Sequence, residues 1–89
     1  MAATFELAIL TPERAVFEGP VEYVEVPGRE GSLGVLAHHA ELVTLLSAGR
    51  LTARRSGGEE LAWRVSGGFF EVANDRATVL ADEVAESSD

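Results

Sequence analysis

The chain has 89 residues and a net charge of −8, from 7 basic and 15 acidic side chains, which makes one small domain without the cationic cluster that nucleic acid or an anionic membrane would require. All the basic residues are arginines and cysteine is absent, which excludes disulfide staples and thiolate zinc sites. The hydrophobic fraction of 46% and charged fraction of 25% belong to a globular domain.

The opening MAATFELAIL has no basic segment and carries Glu6 inside its apolar run, so it is a poor signal peptide. No stretch approaches the ~18–20 apolar residues of a membrane span. Phe5, Leu7 and Ile9 alternate with Thr4, Glu6 and Ala8, the period of a half-buried strand. Turn signals follow at TPER (11–14) and EGP (18–20). In VEYVEV, Val21 and Tyr23 share one phase while Val24 and Val26 share the other, which predicts a β-bulge or a strand turning a corner between sheets.

PGREG (27–31) is another turn signal. The segment AELVTLLSAGRL places Ala40, Leu42, Leu45 and Leu46 at spacings a helix could use, but it is short and broken at Gly49; extended structure is expected. Leu61, Trp63 and Val65 alternate with Glu60, Ala62 and Arg64, which puts Trp63 in the core. RSGGEE (55–60) and AND (73–75) each sit between strand patterns and read as hairpin turns. Arg54 and Arg55 point opposite ways if extended, one of them into solvent. Ala77, Val79 and Ala81 form a weaker alternation opposite Thr78 and Leu80. Short strands between turns every 8–12 residues predict an all-β sandwich or barrel. The closing EVAESSD lacks an apolar partner set and reads as a tail leaving the domain. The domain is bounded at residues 1–86, with 87–89 as the polar end.

Both histidines, His38 and His39, are adjacent, and Glu41 follows. They suggest a metal site, and with it a small metal-dependent β-sandwich enzyme. Neighbouring residues on a strand point to opposite faces, and no third histidine or cysteine is available as a ligand. One packed and one exposed histidine is the simpler expectation. Ser32, Ser47, Ser56 and Ser66 lie beside glycine or in turns, and no GxSxG nucleophile elbow occurs. The carboxylate pairs Glu59–Glu60 and Asp82–Glu83 belong to a turn and a chain end, where solvated carboxylates are usual. Gly67 and Gly68 open the apolar run GFFEV; they permit positive φ, or let another backbone come close. The expectation is therefore a domain with no catalytic or metal residues, no cofactor and no small-molecule ligand, one that binds other proteins.

Three motifs carry a resemblance. GREGSLGVLAHHAELVTLL followed by GRL resembles G-x-x-G-x-L-G-I-L-P-G-H-A-P-L-L-T-x-L. RVSGGFFEVANDRATVLADEVAE resembles V-S-G-G-F-x-E-V-x-x-N-x-V-T-I-L-A-D. The opening LTPER with FEGPVEYVEVPG is similar to L-T-P-x-x-x-x-F-x-G-x-V-x-x-V-x-V-P-G. These are signatures of the ε subunit of F-type ATP synthase, called δ in mitochondria, and they span residues 4–86 in order. The resemblance implies a flattened β-sandwich of about ten mainly antiparallel strands. It implies a non-catalytic central-stalk rotor subunit that links γ to the c-ring and couples proton or sodium translocation to ATP synthesis. Such a subunit would lie peripherally, as part of F1, on the cytoplasmic face of a bacterial plasma membrane, with no direct membrane insertion. The implied contact loop carries Arg29, Glu30, Ser32, His38, His39 and Glu41, with Gly67 and Gly68 as a γ-facing backbone approach.

Two departures stand out. Ala37-His38 replaces the family's Pro-Gly, and Glu41 stands where proline is common, so this turn carries side chains and N–H groups the family pattern lacks. Many members also continue into a C-terminal helical hairpin that can restrain ATP hydrolysis and in some binds ATP. This chain stops at Asp89, and the expectation is no hairpin and no ATP site.

Overall fold

A computed structural model of the chain describes residues 3–86, and every regular element among them is a strand. They are β1 (Phe5–Leu10), β2 (Ala15–Val21), β3 (Tyr23–Gly28), β4 (Gly31–Leu36), β5 (Leu42–Leu46), β6 (Gly49–Arg54), β7 (Glu60–Val65), β8 (Gly68–Ala73), β9 (Arg76–Ala81) and β10 (Val84–Glu86). The all-β, ten-stranded expectation holds. The ambiguous segment after Ala40 is extended, as β5 and the start of β6.

Hydrogen bonding runs β10-β7-β6-β3-β5-β8-β9-β1-β2, with β4 on the other edge of β3. β3 and β5 meet only at Gly28 and Leu46, supported by Ser47 N–H to the Pro27 carbonyl and Arg29 N–H to the Leu45 carbonyl. The sheet is therefore two five-stranded sections joined at one corner. The first section holds β10, β7, β6, β3 and β4; the second holds β5, β8, β9, β1 and β2. All neighbours are antiparallel except β1 and β9, which run parallel.

The two sections close on one core. Leu7, Ile9, Phe70 and Val79 from the second meet Val24, Val26, Val35 and Leu51 from the first, all under 2% exposed. Phe17 and Trp63 add a tilted ring pair across the sections, with centroids 5.4 Å apart. No polar side chain is buried among the described residues, so the hydrophobic effect carries the core without desolvated charge. The period-two readings of β1, β7 and β9 match their buried faces, except that Ala8, between Glu18 and Thr78 in the register, is buried too.

The phase change in VEYVEV is a corner. Val21 ends β2 opposite Phe5. Glu22 then bends, its N–H bonded to the Arg54 carbonyl at 2.7 Å, and Tyr23 opens β3 opposite Leu36 and Arg54. RSGGEE and AND do form hairpins. In the second, Asn74 and Asp75 both have positive φ, 55° and 58°, the conformation of a type I′ turn.

One expectation is overturned. Val84–Glu86 is not tail but a short strand on β7, with Val84 opposite Val65 and packed against the core. A single valine against a strand edge left no periodic signal in the sequence. Residues 87–89 lie outside the described residues.

Candidate functional site

The stretch from Pro27 to Val43 is not one loop. Residues 31–36 are strand β4, and the contact residues expected there fall at its two ends. Arg29 and Glu30 form the β3–β4 turn with Ser32 just beyond it, while His38, His39 and Glu41 occupy the β4–β5 turn. Six residues of strand separate the two groups by roughly 20 Å. The structure thus brings Arg29 together with the corner at Leu45–Ser47, and His38 with the β8–β9 hairpin.

At the His38 end, Asp75 makes two contacts. Its Oδ1 accepts the His38 N–H at 2.6 Å, and its Oδ2 lies 3.2 Å from His38 Nδ1. His38 has φ of 66°, a left-handed conformation that favours glycine. The His39 ring turns elsewhere, with Nδ1 donating to the Ala40 carbonyl at 2.7 Å. The histidines therefore do not converge on Glu41, and no group of three or more His, Asp or Glu positioned for a metal ion occurs among the described residues.

At the opposite end, the outer face of the second section is apolar. Leu45, Phe69 and Leu80 are 39%, 52% and 48% exposed. The register sets Leu45 beside Phe69, Phe69 beside Leu80, and Leu80 beside Leu10. This makes an unbroken row across four strands. The row lines an open groove of about 680 Å³ whose polar rim includes Thr11, Arg29, Ser47 and Asp82. A contiguous exposed apolar patch with a polar rim marks a protein-interaction surface.

Gly67 and Gly68 lie on the same groove. The close backbone approach expected of them is made by the chain itself. Gly68 has φ of 134°, and a Cβ there would collide with the Leu80 carbonyl oxygen and come within 2.9 Å of Ala81 Cα. Its glycine seats β8 against β9 and so sets the spacing of the apolar row.

The outer face of the first section carries a polar cluster around Tyr23, with Leu36 exposed beside it. Tyr23 lies across Gly34, where any Cβ would meet its hydroxyl and come 2.9 Å from its ring edge. The Tyr23 hydroxyl donates to Glu25 Oε1 at 3.1 Å. Arg54 stacks 5.3 Å from the ring centroid and pairs with Glu22 at 3.4 Å. Burial pushes the Tyr23 hydroxyl above its ordinary pKa; the hydrogen bond to Glu25 and that carboxylate's charge add to the shift, and Arg54 opposes it.

Sequence reasoning missed the apolar row. The signal was present as the adjacent apolar pairs Leu45–Leu46, Phe69–Phe70 and Val79–Leu80. In a strand one member of each pair must face outward. Asp75 was also missed, because an aspartate in a turn is ordinary turn chemistry.

Residues 4–87 match the family described as ATP synthase, Delta/Epsilon chain, beta-sandwich domain. The chain is 48% identical over 89 residues to an ATP synthase epsilon chain of Desulforamulus reducens, covering 100% of this chain and 66% of that protein. It is 47% identical over 87 residues to one of Dehalococcoides mccartyi, covering 98% of this chain and 61% of that protein. The chain thus spans somewhat under two thirds of the length of these relatives. The backbone is similar to that of a chain in the cryo-EM structure of Euglena gracilis mitochondrial ATP synthase, OSCP/F1/c-ring. The TM-score is 0.90 and the identity 26%, with 97% of this chain and 55% of that one covered. A chain of the Tetrahymena thermophila mitochondrial ATP synthase central stalk/c-ring shares the fold, with TM-score 0.80 at 15% identity over 96% of this chain and 68% of that one.

Proposed function

We propose that this chain, which belongs to the ATP synthase delta/epsilon chain family, is a non-catalytic central-stalk subunit that links γ to the c-ring and supports coupling of ion translocation to ATP synthesis. The observation that carries the reading is the row Leu10–Leu80–Phe69–Leu45 with its groove. The row is the wrong shape for a reaction centre and the right chemistry for a flat apolar partner surface. We assign it to γ, with Gly67 and Gly68 at its edge. The β3–β4 turn, with Arg29, Glu30 and Ser32, stands at the same end of the sandwich and is free to meet the polar loops of a c-ring. The β4–β5 turn, with His38, His39 and Glu41, is a second contact of the same assembly. The subunit sits peripherally, as part of F1, on the cytoplasmic face of a bacterial membrane. None of the described residues forms a helix long and apolar enough to cross a membrane.

The likeness to a chain in an assembly that contains F1 and a c-ring supports this reading, as does the 48% identity to an epsilon chain. The test is co-purification of the full chain with γ from the same complex, followed by native mass spectrometry. A stoichiometric complex is expected; no association under conditions where F1 assembles overturns the reading. Charge reversal Glu30→Arg is expected to weaken proton-coupled ATP synthesis while leaving the melting temperature within a few degrees. Unchanged coupling removes Glu30 from the contact.

A further inference from the structure

The β4–β5 turn holds a conformation that its own sequence does not favour. His38 sits at φ of 66°, where a residue with a Cβ is disfavoured relative to the ordinary regions. Ala37 and His38 form a hydrogen-bonded turn, and the His39 ring bonds to the carbonyl of Ala40, one residue on. A second restraint comes from 37 residues away, where Asp75 Oδ1 takes the His38 N–H at 2.6 Å and Oδ2 lies 3.2 Å from Nδ1.

Asp75 is itself fixed. It occupies the second position of a two-residue turn with φ of 58°, closed by the Ala73–Arg76 pair. Its carbonyl accepts the Glu6 N–H at 3.2 Å, which ties the turn to β1. The carboxylate is thus presented from a paired hairpin to the neighbouring β4–β5 turn. A carboxylate that accepts a backbone N–H makes a charge-assisted bond, stronger than a neutral one.

We propose that Asp75 is the positioning residue of the β4–β5 turn. By holding His38 in the left-handed conformation it sets where His39 and Glu41 are presented to a partner subunit, and the aspartate does here what a glycine would do by backbone freedom alone. The part concerning a partner rests on the reading of this turn as a contact.

The test compares variants of the full chain by amide hydrogen exchange and by affinity for γ. Asp75→Gly removes the carboxylate while keeping a residue suited to positive φ, so the hairpin survives. Exchange at the His38 amide is expected to rise at least about tenfold, as loss of a charge-assisted bond implies, with chemical-shift changes at residues 37–41 and unchanged protection in β8 and β9. Asp75→Asn keeps an acceptor oxygen and should stay within about threefold of the parent, since the N–H bond is the main restraint. In a His38→Gly background, glycine holds the left-handed conformation alone, and the shift changes that Asp75→Gly causes at residues 39–41 should largely vanish. Unchanged His38 exchange in Asp75→Gly overturns the proposal, and so does an undiminished effect at 39–41 in the His38→Gly background. A loosened turn with unchanged affinity for γ leaves Asp75 as the positioning residue and removes this turn from the γ contact.

Discussion

The two outer faces of this sandwich solve the same problem in opposite ways. Each section must present one side of its strands to the surroundings. On the first section that side is largely covered from within the chain, Leu36 apart: Tyr23 lies over Gly34, Arg54 stacks on Tyr23, and Glu22 and Glu25 satisfy both. On the second section the row of Leu45, Phe69 and Leu80 is left half exposed. A face that finishes its own contacts is complete as a monomer. A face that does not is complete only when something docks on it. The difference separates the side that the fold finishes from the side proposed for docking.

The comparison is broken most sharply at two adjacent phenylalanines. Phe70 is fully buried, and Phe70→Ala should lower unfolding free energy by about 3–5 kcal/mol, read by urea denaturation. A loss below about 1 kcal/mol would mean that the core does not depend on it. Phe69 is its neighbour on the outer side. Phe69→Glu should reduce affinity for γ by at least about 30-fold, the scale of an interface hot spot, with the urea midpoint nearly unchanged. If affinity holds, the apolar row is not the docking face.

The first section's cover can be tested in turn. Gly34→Val places branched carbons where the Tyr23 ring lies, and should destabilise by about 1–3 kcal/mol, as overpacking does, without changing affinity for γ. The smallest effect is expected in alkali. The pKa of Tyr23 is raised in the folded state, so its stabilising share is whole below its unfolded value near ~10 and is lost as pH rises through the folded value. Tyr23→Phe should therefore flatten the fall in thermal stability between neutral pH and strong alkali. An identical alkaline slope in both proteins would show that the Tyr23 hydroxyl does not contribute to it.

Most of the fold could be read from period-two patterns and turn residues, because alternation and hairpin chemistry are local. β1, β7 and β9 announce their buried faces within six residues each, and Asn74-Asp75 announces its turn. What could not be read depended on distant partners. β10 exists because β7 offers an edge and Val84 reaches the core, and nothing within EVAESSD encodes that. The site suffered more than the fold. Arg29 and His38 look like members of one loop until β4 separates them. The row of Leu10, Leu80, Phe69 and Leu45 is assembled by register across four strands, so its members are scattered over 71 positions of sequence. Asp75 is equally invisible, since its role lies in a turn 37 residues away.

The parallel pairing of β1 with β9 has a consequence for synthesis. β1 lies between β2 and β9, and Glu6 to Leu10 register against Arg76 to Leu80. β1 therefore waits for β9, made about 70 residues later. Until then the hairpin of β1 and β2 exposes one edge and the apolar faces of Phe5, Leu7 and Ile9, a target for other nascent chains. Closing such a ladder late, across about 70 residues, is a slow step in folding. The emerging chain is accordingly expected to be a client of chaperones until β9 appears.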